Sequence, residues 1–211
     1  MKPEFGEKLS GQRINMTASE LKPGATYTLN MYSKKVAMVT GTVSQDGSIK
    51  GSMVIPDKAC VAPGLHKLIL ESEDETGKKH RSTVMVVLGS KCILNATAEK
   101  LKDNSWKVRG IRFDYKKWDL TSQTKVTLLS LKPWLKSASK INVSGYTETD
   151  GKGSALKVAN KVLAKERALA ITKAFKNLGA KNRFFIDPAG AKNPISNIQS
   201  KNRRVELRVR F

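Results

Sequence analysis

The side chains of this sequence with the capacity for chemistry fall into two groups. Cys60, Cys92, His66 and His80 all lie in the first half and are the only cysteines and histidines. Four such residues raise the question of zinc. Neither a Cys-x2–4-Cys nor a His-x3–5-His spacing is present, so no metal is expected, and the histidines are expected to be exposed strand residues. With no histidine after His80, a Ser-His-Asp or Cys-His mechanism would have to draw on both halves of the chain and is rejected. Two readings stay open for the cysteines. They form a disulfide, which would stabilise the first half by about 3 kcal/mol, or they are two small buried hydrophobes. In the second half, Glu148 and Asp150 stand side by side on one loop. A glycosidase needs two carboxylates flanking a cleft, and no partner for this pair can be named, so neither catalysis nor a cofactor is expected. Asn160 and Arg167 are seven residues apart, two turns of helix, and share one face. Their types suit binding.

Two kinds of element would have to position these residues. From Asn15 to Gly89, turn signals recur at Pro23-Gly24, Asp46-Gly47, Pro63-Gly64 and Thr76-Gly77. Between them, apolar residues alternate with polar ones: Tyr27, Leu29 and Met31; Val39 and Val43; Ile49, Met53 and Ile55; Leu68 and Leu70; Val84, Val86 and Leu88. A period of two with frequent turns predicts half-buried antiparallel strands, and so many over a short stretch predict an all-β sandwich. After Cys92 the pattern changes to strand, helix, strand, helix, strand, loop, strand. Trp106–Phe113 alternates. Thr121–Ser137 reads as a helix with Val126, Leu129, Leu131 and Leu135 as its apolar side, capped by hydroxyls at its start and interrupted or kinked by Pro133. Ile141 and Val143 make a strand that stops at Gly145. A second helix runs from Ser154, as cap, to Leu178, with Leu156, Ala159, Leu163, Ala170, Ile171, Ala174 and Leu178 on its stripe and Gly179 at its C-terminal cap. Phe184–Ile186 is a short strand, and Val205, Leu207, Val209 and Phe211 alternate in an edge or half-exposed one. The second half is therefore expected to be an α/β sandwich, a mixed sheet with helices on one face. The expected division is an N-terminal extension at 1–14, a β-sandwich at 15–90, a linker or first strand at 91–105, and the α/β domain at 106–211.

Charge is the compositional outlier. The chain of 211 residues carries a net +21. Residues 1–95 hold 13 Lys/Arg against 9 Asp/Glu and residues 96–211 hold 26 against 9, so the second half carries +17. An anionic partner belongs there, be it nucleic acid, a membrane surface or a wall polymer. The basic residues are scattered, the aromatics few, and no helix-turn-helix, finger or RNA-recognition signature occurs, so no specific nucleic acid is expected. No run of 18 apolar residues exists to make a transmembrane segment, and Met1–Ile14 lacks the apolar centre of a signal peptide.

Four motifs resemble one family. Gly145-Tyr146-Thr147-Glu148 resembles the Gly-Tyr-Thr-Asp signature of OmpA-like domains, and Asn160-x-x-Leu163-Ala164-x-x-Arg167-Ala168 resembles their Asn-x-x-Leu-Ser-x-x-Arg-Ala helix. Asn202-Arg203-Arg204-Val205-Glu206 matches the opening of their last strand, and Ile111-Arg112-Phe113-Asp114, before the first helix, fits their opening Phe-Asp. Leu21-Lys-Pro-Gly-Ala25, Gly47 to Pro56 and Ala62 to His66 are similar in style to bacterial Ig-like modules. The OmpA-like resemblance implies non-covalent binding of peptidoglycan through the diamino acid of its peptide stem. A cell-envelope location outside the cytoplasm follows, with other anionic wall polymers as added partners. It places Glu148 against the ligand's ammonium and Arg167 in a forked contact with its carboxylate. Asn160 and Thr147 would add neutral hydrogen bonds, and Tyr115 and Lys116 would border the pocket. Asn202, Arg203 and Arg204 would brace the last loop against the sheet. This sequence departs from the pattern in three ways. The usual Asp is Glu148, one methylene longer. The loop through Thr149–Gly153 is extended, which makes Asp150 an alternative acid. Ala164 stands where the family has Ser. The competing expectation is a basic protein that binds nucleic acid or any anionic polymer on a degenerate OmpA-like fold.

Overall fold

The structure is a computed structural model that describes residues 13–32, 36–54, 63–89, 93–148 and 154–211. Cys60, Cys92, Asp150 and the side chain of Ser154 lie outside the described residues. The chain divides into two compact units, Met1–Thr97 and Ala98–Phe211.

In the first unit the described elements are strands: β1 (Arg13–Ala18), β2 (Thr26–Tyr32), β3 (Val36–Thr42), β4 (Ile49–Val54), β5 (Gly64–Glu73) and β6 (Lys79–Leu88). β6, β5, β2 and β3 lie side by side, all antiparallel, and β1 pairs with β4. Turns are set where the sequence offers glycine. Gly24, Gly47 and Gly77 adopt positive φ, and the Asp46 and Asp74 carboxylates accept from the backbone N–H two residues on. The core gathers Leu21, Leu29, Met31, Val43, Ile49, Leu70, Val86 and Leu88, most of them from the alternating positions. Alternation fails at the end of β6, where Met85 and Val87 are buried as well as Val86 and Leu88. His66, expected to be exposed, is only 3% exposed because β5 carries it inward between β2 and β6.

The second unit contains the end of β7 (Leu94–Lys100), β8 (Trp106–Arg112), α1 (Ser122–Leu135), β9 (Lys140–Tyr146), α2 (Ser154–Asn177), β10 (Arg183–Gly190), α3 (Gln199–Asn202) and β11 (Arg204–Arg210). The strand order is β10-β9-β11-β8-β7, with β10 parallel to β9 and β11 antiparallel to both β8 and β9. This is the mixed sheet with helices that the second half led us to expect. Val205, Leu207 and Val209 pair with Gly145, Val143 and Ile141, and this face carries the helices. Trp134 of α1 packs edge-on to Trp106 at 5.5 Å and against Phe211 at 5.3 Å. β11 is therefore not an edge strand. Neighbours on both sides satisfy its backbone, and even Glu206 is buried.

Both helices bury a face that overlaps the expected one only in part, at Leu131 and Leu135 of α1 and Ile171 of α2. α1 buries Thr124, Thr127, Leu128, Leu131 and Leu135, whereas Val126 and Leu129 point outward, Leu129 with 54% exposure. Threonine serves on the inner face because each hydroxyl finds a carbonyl, Thr124 on Arg112 and Thr127 on Gln123. Thr121 caps the helix by accepting from the Thr124 N–H at 3.1 Å. Pro133 does not interrupt it. It sits in the last turn, and the hydrogen bond it cannot make belongs to the carbonyl of exposed Leu129, which water can serve. α2 buries Ala164, Arg167, Ala168, Ile171, Thr172 and Phe175, about one position round from the apolar stripe, with Leu156 exposed. An arginine sits at the centre of the buried face, and apolar periodicity could not reveal it. The helix ends as expected: Gly179 at φ 83° donates to the Lys176 carbonyl and Ala180 to that of Phe175, the Schellman pattern.

Candidate functional site

The site begins at Gly145. A Cβ on this residue would collide with the Ala164 carbonyl oxygen, so only glycine lets β9 run this close to α2. One turn further along α2, Arg167 reaches the C-terminal end of β9. It is 0% exposed. Its Nη1 donates to the Tyr146 carbonyl at 2.9 Å, its Nε to that of Lys117 at 2.9 Å and its Nη2 to that of Asp114 at 3.1 Å. The guanidinium also lies 5.5 Å from the centre of the Phe113 ring. One side chain thus ties the end of β9 to the loop that follows β8. Burial pushes its pKa down to about 10. Glu148 opposes that shift and the like charge of Arg203 adds to it. Arg167 therefore stays charged at neutral pH.

Glu148 follows two residues after β9 and is buried. Its Oε2 accepts from Arg203 Nη1 at 2.7 Å, with the two side chains 6% and 18% exposed. Arg203 is held from other sides too. Its Nε donates to the Phe113 carbonyl at 3.3 Å, its own carbonyl accepts from the Phe113 N–H, and its guanidinium lies 5.8 Å from the Tyr115 ring centre. Asn202 is buried, accepting from the Ile195 N–H and donating to the Ser196 carbonyl, which anchors the loop between β10 and β11. Arg204 bonds Glu206 at 3.0 Å and the Asn193 carbonyl at 3.1 Å while stacking 3.8 Å from the Tyr146 ring centre. Burial works against the Glu206 carboxylate, but hydrogen bonds from Lys107 and Arg204 outweigh it and lower its pKa.

The structure brings Glu148, Arg167 and Tyr115 together around Arg203. Tyr115 is 53% exposed and forms the open rim, with Lys116 Nζ 5.1 Å from its ring centre. Thr147 is 2% exposed. Its N–H donates to the Gly190 carbonyl at 2.9 Å, and its Oγ1 has no hydrogen-bond partner among the described residues. Asn160 is half-buried on α2, its backbone beside Gly190, two turns before Arg167. Asp150 lies outside the described residues. Arg203 is the member that sequence reasoning placed elsewhere, in bracing the loop. It lies 55 residues from Glu148, and no local spacing links them.

A comparison with protein families matches residues 112–208 to the OmpA family. No curated protein matches the chain. Among solved structures, the periplasmic domain of Helicobacter pylori MotB aligns at 18% identity over 62% of this chain and 88% of that one, with a TM-score of 0.50. That likeness concerns the fold alone. The OmpA-like domain of FopA1 from Francisella tularensis aligns at 23% identity over 55% and 80% of the two chains, with a TM-score of 0.44. The cell wall anchor of the T6SS from Pseudomonas aeruginosa aligns at 18% over 55% and 87%, with a TM-score of 0.45. Residues 112–208 are an OmpA family domain.

Proposed function

We propose that the second unit binds peptidoglycan non-covalently through the diamino acid of its peptide stem, tethering the chain to the wall in the cell envelope. The observation that carries this reading is the ion cluster of Glu148, Arg203 and Arg167 at the end of β9, with Tyr115 open beside it. A stem diamino acid is a zwitterion on a flexible peptide. A rigid set of charges, braced by backbone carbonyls, can hold it with little ordering cost on the protein's side. The hydroxyl of Thr147, without a partner among the described residues, and the amide of Asn160 supply neutral hydrogen-bonding groups. The excess of positive charge would add salt-sensitive attraction to anionic wall polymers. In this reading the first unit is an Ig-like module carried by the tether. Among the described residues no helix is long and apolar enough to cross a membrane.

The test is co-sedimentation of the full chain with insoluble peptidoglycan at about 0.15 M salt, where the Debye length is about 8 Å, with soluble stem peptide as competitor. Retention that the peptide abolishes supports the proposal. Retention that the peptide leaves untouched assigns the binding to charge alone and refutes it, as does no retention.

A further inference from the structure

The two helices keep apolar residues on the side turned away from the sheet. α1 packs over β8 and α2 over β9 and β10, and the helices meet. On its outer side α2 leaves Val158 63% exposed, Val162 55% exposed and Leu169 open to water. These three stand four and seven residues apart and form one stripe, which Lys165 and Lys173 continue. α1 repeats the arrangement, with Val126 and Leu129 exposed between Lys125 and Lys132. A lone exposed apolar side chain is ordinary, but here a set of them is interleaved with lysine on adjoining helices. Across the 14 residues of α1 and the 24 of α2 the only acid is Glu166. Among the described residues, no lysine of either helix is in an ion pair. The flanking loops do not offset this charge. Asp114 and Asp119 cancel Lys116 and Lys117 before α1, Asp150 cancels Lys152 before α2, and Lys136 and Lys181 follow the two helices. On the opposite face of the sheet most cations are matched: Arg208 and Arg210 by Asp103, Lys107 and Arg204 by Glu206, and Arg109 by Glu99.

We propose that the outer surface of α1 and α2 rests on a bilayer rich in anionic phospholipid. Such a surface offers phosphates to the lysines and, just beneath them, acyl chains to the short aliphatic side chains. Lysine stems lie along the apolar residues while their ammonium groups stay at the headgroup level. The helices lie on the bilayer and do not cross it, and among the described residues none is long and apolar enough to do so. Other occupants fit less well. A partner helix wants an unbroken apolar strip, and Lys165 interrupts this one between Val162 and Leu169. A second copy of the chain, packed by the same patch, would set lysine against lysine. A nucleic acid or acidic polymer would take the lysines and leave Val158, Val162 and Leu129 in water. The contact is independent of the peptidoglycan reading, since neither Glu148 nor Arg167, Arg203 and Tyr115 take part in it.

The experiment measures flotation of the full chain with vesicles of phosphatidylcholine alone and of phosphatidylcholine with about one phosphatidylglycerol in three, at about 0.15 M salt. Partition into the anionic vesicles should be at least about tenfold stronger. No partition, or equal partition into both, overturns the proposal, and that comparison needs no variant to fold. Lys165→Gln with Lys173→Gln should weaken partition about tenfold or more, each lysine giving about fivefold. Val158→Gln with Val162→Gln should weaken it about tenfold at unchanged charge. All four side chains are exposed, so urea unfolding curves of both variants should match wild type. A valine pair that binds like wild type means that charge alone acts, as for a soluble polyanion, and overturns the proposal. A lysine pair that binds like wild type overturns it as well.

Discussion

Arg167→Met tests whether the buried guanidinium is the clasp of the second unit. Methionine fills much of the same volume without donors, so the change isolates the three hydrogen bonds to Tyr146, Lys117 and Asp114. The Tyr146 carbonyl lies in a buried bond and loses its partner outright, whereas the other two are on exposed loop residues and can recover water. A buried orphaned acceptor costs about 1–3 kcal/mol, and a partly hydrated one less. Release of the desolvation cost of the buried charge offsets part of this. The balance is a loss of about 2–4 kcal/mol. With a urea slope of about 2 kcal/mol per M, the unfolding midpoint should fall by about 1–2 M. The assay is tryptophan fluorescence, which is selective here because Trp106, Trp118 and Trp134 all lie in the second unit. Arg167→Lys should recover little, since an ammonium cannot reach three carbonyls in three directions. A midpoint within about 0.3 M of wild type for Arg167→Met would refute the argument.

Other perturbations probe the same unit. Gly145→Ala drives a methyl into the Ala164 carbonyl, a backbone atom with nowhere to go, and should cost about 3 kcal/mol or more, read by the same urea curves. Gly179→Ala meets no atom within 4 Å, so only the strain of φ 83° remains, and a loss of about 1–2 kcal/mol is expected in thermal unfolding of the second unit. Asp103 has its pKa lowered from 3.8 to about 2, chiefly by the Ser105 hydroxyl, with Arg208 helping. The folded state resists protonating it, so its stabilising effect is full above about pH 4 and is lost as pH falls towards 2. Asp103→Asn should therefore flatten the acid limb of an unfolding-versus-pH curve over that window, and an unchanged slope would contradict the pairing.

Much of the fold was legible because hydrophobic periodicity and turn chemistry act over a few residues. The Pro-Gly and Asp-Gly turns, the Thr121 and Gly179 caps and the strand-helix alternation after Cys92 all follow from neighbours in the chain. The faces of the helices were less legible. α2 turns Arg167 inward because carbonyls from two other segments meet it there, and no apolar count reports an acceptor that lies 21 to 53 residues away. The position of β11 at the centre of its sheet was hidden for a similar reason, since alternation looks alike in an edge strand and in one whose polar face is satisfied by Lys107, Arg204 and Glu206.

The candidate site divides the same way. Four short motifs in order were enough to nominate Glu148, Arg167 and Tyr115 and to imply an OmpA-like domain. Which charge meets which was decided only by the fold. Arg203 comes to Glu148 at 2.7 Å because β11 inserts beside β9, bringing the residue just before it to the end of that strand. Pairing, burial and access depend on distances between chain segments remote in sequence, and the order of residues sets those distances only through the completed packing.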